Sequence, residues 1–585
     1  MVSSVSTSPQ IPLLDKEMSV SPPTFHTKVM GKDVGDILAG LEAADKKELD
    51  LKQKKIDNID EKTKQLATLE EKVRALSNAS SALFNQGVGL NNGGAFSQKV
   101  PVRLSGPDDV LSVTAGKDTP KLEMEIEVIR LAKKDTVSAT EGAPNKTDPL
   151  EWNGSFDIGT DGNTRTITLT PDMSLQEVAH KVNAISSETG IQANIITFAD
   201  EARLTFHALN YADPIVVDKT NVAGGPEVLN KIPSSSVEAA EDLSAVVRYE
   251  GIAKDIFYTS NTIPTGDQYP GVSVTLFKED PGNPVKISLQ NDTNAAVEAI
   301  GAFIEAFNDL QELSASDDMY RGVGVTAPLG SVSTIMTGFG SNISPEKAQS
   351  LAEIGIRLGH SDKGADGKFT FSEAKPTLHV DTERLTEALT QRFDNVAEVF
   401  GFTQTSSSSH FTMMSRPTNI AYGDIQVTFT KSDTNVTSAV FTHNGVDYNA
   451  VVGAPFEGNV VLEAPEDSLL KGFKVVFDDL NALPDDVETV RQSLFSMSQG
   501  IGDKLATKLG TLLDVDPAKG AFAAERQNLL KSKEAETLKF STLKETLDTK
   551  RAREFDKFKL MEIAVAQFEQ TAEFIRTFVK TASAA

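Results

Sequence analysis

The sequence predicts an α+β multidomain protein: a terminal α-helical coiled-coil stalk, formed by the N- and C-terminal helices together, carrying β-rich head domains. Three observations predict it. From roughly Glu525 to Thr581 the chain reads as one long helix, in which Phe558, Met561, Val565, Phe568, Ala572, Ile575 and Val579 step by three then four residues without a miss. That is the a/d spacing of a helix that lays one stripe against a partner. Near the other end Leu66, Leu69, Val73, Leu76, Ser80 and Leu83 keep the same spacing, preceded by Ile37, Leu38, Leu41, Ile56 and Ile59. Between the ends the apolar period falls to two: Leu122, Met124, Ile126 and Val128 alternate with Glu123, Glu125 and Glu127, which marks a strand with one wet face. A lone helix would leave its stripe in water, so the first and last sixths of the chain are expected to dock antiparallel in one rod.

Taken in order, residues 1–32 are rich in Ser, Thr and Pro and read as a disordered tail. With no basic n-region and no apolar h-region, this is not a secretory signal of the usual kind. Asp33, a good N-cap residue, opens a coiled-coil helix over 33–86 whose charged middle, Asp45 to Lys64, has only Leu49, Leu51, Ile56 and Ile59 to bury. The helix has to stop before the cluster of glycine and asparagine from Gly87 to Gly94. A β-rich head follows over 95–290, with 99–135 and 240–290 forming one lobe and 136–239 a second. In the second lobe Thr164 to Leu169, Ile191 to Phe198 and Arg203 to His207 read as strands, Ser174 to Ile185 as a helix capped by Ser174, and Thr220 to Ser236 as loop. Leu243 to Arg248, Val272 to Leu276 and Val285 to Leu289 add strands to the first lobe. A helical leg region spans 291–402. There Val297, Ile300, Ile304, Phe307 and Leu310 give one apolar face, and Asp381 caps a helix carrying Leu385, Leu389, Phe393, Val396 and Phe400. The strand-like runs IQVTFT, SAVFTH, NVVLEA and FKVVF place an inserted β-domain at 403–480. C-terminal helices and the coiled coil fill 481–585, beginning with a helix over Asp485 to Leu513.

At 585 residues the chain exceeds a single hydrophobic core and needs several domains. A formal net charge of −26 opposes phosphate binding, so nucleic acid is not an expected partner. The absence of cysteine excludes disulfides, thiolate metal sites and cysteine nucleophiles. No apolar run reaches the roughly 18 residues a membrane helix needs, so no transmembrane segment is expected. Neither a phosphate-binding glycine loop, a dinucleotide fingerprint, a zinc-protease helix nor a nucleophile elbow occurs. The seven histidines, His26, His180, His207, His360, His379, His410 and His443, stand singly, without ligand spacing. Asp362, Asp366, Gly367 and Glu373 fall at positions 1, 5, 6 and 12 of an EF-hand-like loop, but Gly364 leaves position 3 without a side-chain oxygen. A turn between two short strands accounts for the same residues. Glu123, Glu125 and Glu127 read as a solvated strand face and not a cation site. No catalytic, cofactor-binding or metal residue is assigned, and an enzyme is not expected.

In its order of helix, β-rich head, helix and terminal coiled coil, the chain resembles flagellar hook-associated protein 2, the filament-cap family. The similar segments are GKDVGDILAGLEAADKKELDLKQKKI in the first helix, AFSQKVPVRLSGPDDVLSVTAGKDTPKLEMEIEVIRLAKKD in the first head strands, TITLTPDMSLQEVAHKVNA, and VSVTLFKEDPGNPVKISLQNDTNAAVEAIGAFIEAFNDL. Ala327 to Ser331, Leu351 to Leu358 and the terminal REFDKFKLMEIAVAQFE are similar too, with Phe558, Met561 and Glu562 at the family's F-x-x-[LM]-[DE]. The resemblance implies a non-enzymatic assembly factor without cofactor, exported through the flagellar type III channel. It would cap the filament tip as a homo-oligomeric ring, a pentamer in the family, and help flagellin fold and polymerise. Flagellin, hook-filament junction proteins and an export chaperone are the partners implied. On that reading Ile37, Leu41, Ile575, Phe578 and Val579 contact flagellin or hook-filament subunits. The other reading is that all five only close the stalk within one chain. A hook-filament junction protein and a stalked surface adhesin are the alternative functions.

Overall fold

Runs of Ala, Leu, Glu and Lys, which are strong helix formers, carry one helix unbroken over Val34–Leu83 and another over Ala521–Ala582. The computed structural model describes residues 28–29, 32–84, 94–116, 119–160, 162–224, 240–252, 254–264, 269–363, 369–372, 377–420, 422–432, 435–483 and 489–582. The chain divides into two units, Met1–Glu71 with Ser316–Ala327 and Thr511–Ala585, and Lys72–Ala315 with Pro328–Gly510.

In the first unit the N-terminal and terminal helices run antiparallel. Glu70 meets Arg526 at 3.4 Å, Asp60 meets Lys533 at 2.6 Å, and Glu42 and Asp45 meet Arg551 at 3.5 and 3.6 Å. Ile56, Leu66 and Leu69 of one helix and Phe522, Leu529 and Leu547 of the other are buried. A partly exposed ion pair contributes only about 0–1 kcal/mol, whereas a buried leucine contributes about 1.5–3 kcal/mol. The apolar stripe therefore holds the helices together, and the charges report their register. Residues Ser316–Ala327 join this unit through Tyr320, whose hydroxyl donates to Glu525. Burial pushes the Tyr320 phenol up, and the adjoining carboxylate adds to the shift.

The second unit holds three β-rich bodies and a helical region. The first body has a five-stranded antiparallel sheet ordered Ile256–Tyr258, Ala245–Tyr249, Glu123–Arg130, Val285–Asn291, Lys99–Ser105. A three-stranded sheet of Thr262–Ile263, Val272–Leu276 and Leu111–Ala115 closes its core, into which Met124, Ile126 and Val128 point at every second position. The second body surrounds Trp152, the single tryptophan, with strands Asn153–Thr160, Arg165–Leu169, Ile191–Thr197 and Ala202–Ala208. Its helix, Leu175–Ala184, starts with a reciprocal cap: Ser174 Oγ accepts from the Glu177 amide and Glu177 accepts from the Ser174 amide. The third body pairs a five-stranded sheet, ordered Phe402–Ser406, Thr489–Gln499, Gly423–Ser432, Asn435–His443, Val446–Asn449, with a four-stranded one. Between them lie Phe411, Phe429, Phe441, Phe473, Phe477 and Phe495. In the helical region Phe84, Phe96, Phe303 and Phe400 are buried together, Phe96 stacking on Phe400 at 5.7 Å and Phe303 meeting it edge-on at 5.9 Å.

Several expectations differ from this. The helix over Asp485 to Leu513 is instead the strand Thr489–Gln499, followed by the helix Ile501–Leu512; residues 484–488 lie outside the described ones. That strand sits second in the five-stranded sheet, so the β-domain extends past 480 and the segment 481–585 does not begin with helix. Its inward residues are Ser493, Phe495 and Met497, and a fully buried serine at the head of the row hid the alternation. The helix expected from Asp381 through Phe400 is two, Thr382–Gln391 and Phe393–Phe400, broken at Arg392 with φ −146° and ψ 47°. The break turns Phe393 edge-on to Phe96 at 5.5 Å. In the helix Thr293–Ala315, Val297 is 40% exposed, and Ala296, Ile300, Phe303, Phe307 and Leu310 form the buried stripe. Within the Thr220 to Ser236 loop, Val222–Ala223 pairs with Gly154 and Asn153, and residues 225–236 lie outside the described ones. The tail at 1–27 also lies outside them, as does the glycine cluster up to Gly93.

Candidate assembly interface

The antiparallel register leaves the helices unequal at one end. Arg551 faces Glu42 and Asp45, so Val34, the first residue of the N-terminal helix, comes level with the terminal helix about ten residues further on, near Met561, since both advance 1.5 Å per residue. The terminal helix continues to Ala582. About 20 residues, roughly 30 Å, therefore overrun the helix they pair with.

The overrun separates the two predicted seams. Leu66 and Leu69 lie level with the first turns of the terminal helix, close to Leu529 and Arg526, and Val73, Leu76 and Leu83 are fully buried in the second unit. Phe558, Met561 and Val565 are half-buried, while Phe568, Ile575 and Val579 are 80%, 55% and 58% exposed. The N-terminal seam and the C-terminal seam are thus not laid on each other, because antiparallel pairing puts the end of one helix against the start of the other. Ile37 and Leu41 fall level with Phe558 and Glu554, about 25 Å or more along the axis from Ile575, Phe578 and Val579, so the five candidate contacts form two patches. Ile37 is half-buried; Leu41 and Phe578 are exposed.

Sequence reasoning missed a second row on the overrun. Leu560, Ile563 and Phe574 are exposed and share a stripe with Phe578, since steps of three, eleven and four residues each return close to one face. Added to Met561, Val565, Phe568, Ala572, Ile575 and Val579, this row widens the apolar arc to about 200°, against the ~100° of an ordinary amphipathic stripe. Gln567 and Thr571 interrupt the second row, and the charged remainder is one strip, Glu562, Glu569, Glu573, Arg576 and Lys580. Helical spacing makes it the continuation of the face that carries Arg551, Phe555 and Phe558 toward the N-terminal helix. The second row was legible in the Phe574, Phe578 spacing of four, but it breaks the a/d rule and so was passed over.

The remaining candidates are placed as follows. His360–Lys363 pairs antiparallel with Phe369–Ser372, while Asp366, Gly367 and Glu373 of the EF-hand-like loop lie outside the described residues. Of the three glutamates on Glu123–Arg130, Glu127 accepts from Arg248 at 3.1 Å and from the Gly282 amide at 2.8 Å, and Glu123 lies 3.6 Å from Lys286. Among the described residues no group of His, Asp and Glu could hold a metal ion, and no helix is long and apolar enough to cross a membrane.

Comparison with known proteins agrees with the sequence resemblance. The family model for the N-terminus of flagellar hook-associated protein 2 matches residues 30–135, and that for its C-terminus matches residues 243–570. No curated protein matches. Among solved structures, the flagellar cap protein FliD of Escherichia coli is 20% identical with a TM-score of 0.42, covering 57% of this chain and 89% of that one. FliD (HAP2) of Pseudomonas aeruginosa is 18% identical with a TM-score of 0.29, covering 35% and 94%. The cap protein FliD of Bdellovibrio bacteriovorus is 20% identical with a TM-score of 0.24, covering 32% and 98%. The C-terminal family model alone spans more than half of the chain, which therefore belongs to the flagellar hook-associated protein 2 family.

Proposed function

We propose that this chain caps the distal end of a flagellar filament, where it promotes the folding and polymerisation of flagellin without catalysing a reaction. The observation that carries the reading is the overrunning end of the terminal helix, whose apolar arc has more area than its own partner helix reaches. Contiguous apolar surface of that kind on a soluble protein marks a contact with another chain. Leu560, Ile563, Phe568, Phe574, Ile575, Phe578 and Val579 supply the contact, with Ile37 and Leu41 as a separate, smaller patch. The family further suggests a ring of copies, five by resemblance, reached by export through the type III channel with a chaperone, next to hook-filament junction proteins. A cysteine-free chain suits passage in an unfolded state, because no thiol can cross-link on the way. The three β-rich bodies are read as the head of the cap, and the helical region as its leg.

The test is a deletion strain examined by electron microscopy. Loss of filaments with flagellin released into the medium, restored by the intact gene, is the expected result. Normal filaments in the deletion strain would overturn the reading.

A further inference from the structure

We propose that the Asn183 side chain closes the free edge of the strand Ile191–Thr197 in the second body, and so keeps a second copy of this chain from pairing with it. The strand lies at one end of a three-stranded sheet, ordered Thr136–Ser138, Ala202–Ala208, Ile191–Thr197. Its ladder to Ala202–Ala208 is bracketed by the Phe198 amide, which donates to Glu201 O at 2.7 Å, and the Leu209 amide, which donates to Gly190 O at 2.8 Å. The even-numbered residues therefore turn their backbone groups to that neighbour. Ile191, Ala193, Ile195 and Thr197 turn theirs to the side where the sheet ends.

This strand, IQANIIT, has seven residues, no charge and no proline. Such a segment on a sheet edge is the kind that pairs with copies of itself. Ile196 and Phe198 are 46% and 48% exposed and add apolar surface to the same end. Two side chains hold the other end. Asn183, in the last turn of the helix Leu175–Ala184, donates from Nδ2 to Ala193 O at 2.9 Å and accepts at Oδ1 from the Ala193 amide at 2.7 Å. Thr189 Oγ1 accepts from the Ile191 amide at 3.3 Å. One carboxamide thus provides both the donor and the acceptor that a residue of an added strand would bring. With Ala193 held, the edge open to pairing shrinks to Ile195–Thr197, about 10 Å, short of the five or six residues of an ordinary strand.

The same clamp recurs elsewhere in the second unit. Asn261 holds both backbone groups of Ala132, Asn308 those of Leu378, and Asn395 those of Ala348. Those three asparagines are half-buried and tie segments of one chain together. Asn183 is exposed, at an edge another molecule can reach. The contact is the same whether or not the chain caps a filament, so its test leaves the capping reading untouched.

Sedimentation velocity on the full-length chain compares the parent, Asn183→Ala, and the double variant Asn183→Ala with Thr197→Pro. Trp152 emission reports in each whether the second body is folded. Asn183→Ala is expected to stay folded and to self-associate at concentrations at least about tenfold lower than the parent. Thr197 points its amide outward, so proline there blocks an added strand without removing a bond of the ladder, and the double variant is expected to return to the parent level. A folded Asn183→Ala that associates no more than the parent overturns the inference, since the carboxamide then only satisfies Ala193. A double variant that associates as strongly as Asn183→Ala overturns it too, by placing the association elsewhere. Unfolded Trp152 emission in Asn183→Ala makes the clamp a requirement of the fold and likewise overturns it.

Discussion

Asp503 is fully buried in the first turn of the helix Ile501–Leu512 and holds three contacts. Its carboxylate accepts from Arg416 Nη1 at 3.0 and 3.1 Å and from Gln499 Nε2 at 2.8 Å. Arg416 follows the strand Phe411–Ser415 and lies 4.7 Å over the Phe402 ring, so one ion pair ties the third β-rich body to that helix. Replacing Arg416 with Met keeps most of the packing volume and leaves a buried carboxylate with Gln499 alone. Breaking such a pair from one side costs about 3–5 kcal/mol, and because 21% of the Arg416 side chain sees water, about 3 kcal/mol is expected. Asp503→Asn keeps an acceptor and leaves an arginine that can still reach solvent, so about 1–3 kcal/mol is expected. The double variant buries no charge, and its loss should fall short of the sum of the two by at least about 1 kcal/mol. In differential scanning calorimetry Arg416→Met should lower the transition of this body by about 12–24 °C, taking 4–8 °C per kcal/mol for a unit of about 100 residues. Trp152, in the core of the second body, supplies a fluorescence transition that should not move. A shift under about 2 °C in Arg416→Met, or a double variant whose loss equals the sum, would refute the reasoning.

Three further outcomes follow from the same contacts. A Cβ at Gly502 would meet Phe400 O at 2.6 Å and Phe84 Cε1 at 2.8 Å, so Gly502→Ala should cost about 1–3 kcal/mol in urea unfolding, and a variant as stable as the parent would show that the crossing of these segments is loose. Leu69, fully buried between the long helices, should cost about 2–5 kcal/mol when cut to Ala, read as earlier loss of helical circular dichroism on heating; a loss below about 1 kcal/mol would place it outside the interior. The hydrogen bond from Lys539 holds the Glu536 carboxyl below the ordinary glutamate range, with Lys52 and Lys55 of the other helix adding to it. Its folded pKa is lower than its unfolded one, so the contribution is present above about pH 4.3 and lost as pH falls through the folded value; Glu536→Gln should flatten this acid limb of the helix melt, and an unchanged limb would dismiss it.

Features set by local spacing were legible in the sequence. The strand Glu123–Arg130 shows its buried Met124, Ile126 and Val128 as plain alternation, and the Ser174 to Glu177 cap is a four-residue pattern. Both long helices announce themselves through formers that no Pro interrupts. What depends on residues far apart was not legible. Thr489–Gln499 reads as helix because Val487, Val490 and Leu494 keep helical spacing, yet Val490 and Leu494 are 53% and 40% exposed on the sheet, and Ser493 is the residue that turns inward. Nothing near Ser493 says that strand Gly423–Ser432 will cover it.

The same distinction explains why the seam of the terminal helix was found and its partner misjudged. An a/d stripe states that a helix will be covered, and says nothing of by what or where along its length. Those two facts depend on the lengths of both helices and on where their charges meet, here Arg551 with Glu42 and Asp45. Once that register is known, the stripe divides into a part level with the N-terminal helix and a part beyond the start of that helix, and the second part is also the one with further exposed apolar residues beside it. Intramolecular closure of the rod would require the opposite distribution, with the widest apolar arc where the two helices overlap and a polar surface where they do not. Between Arg526 and Arg551 the paired segment buries Leu529 and Leu547 on one stripe and leaves Leu530 and Leu538 exposed off it. Exposed apolar residues past Met561, Phe568, Phe574 and Ile575 among them, are what the proposed contact with another molecule would use.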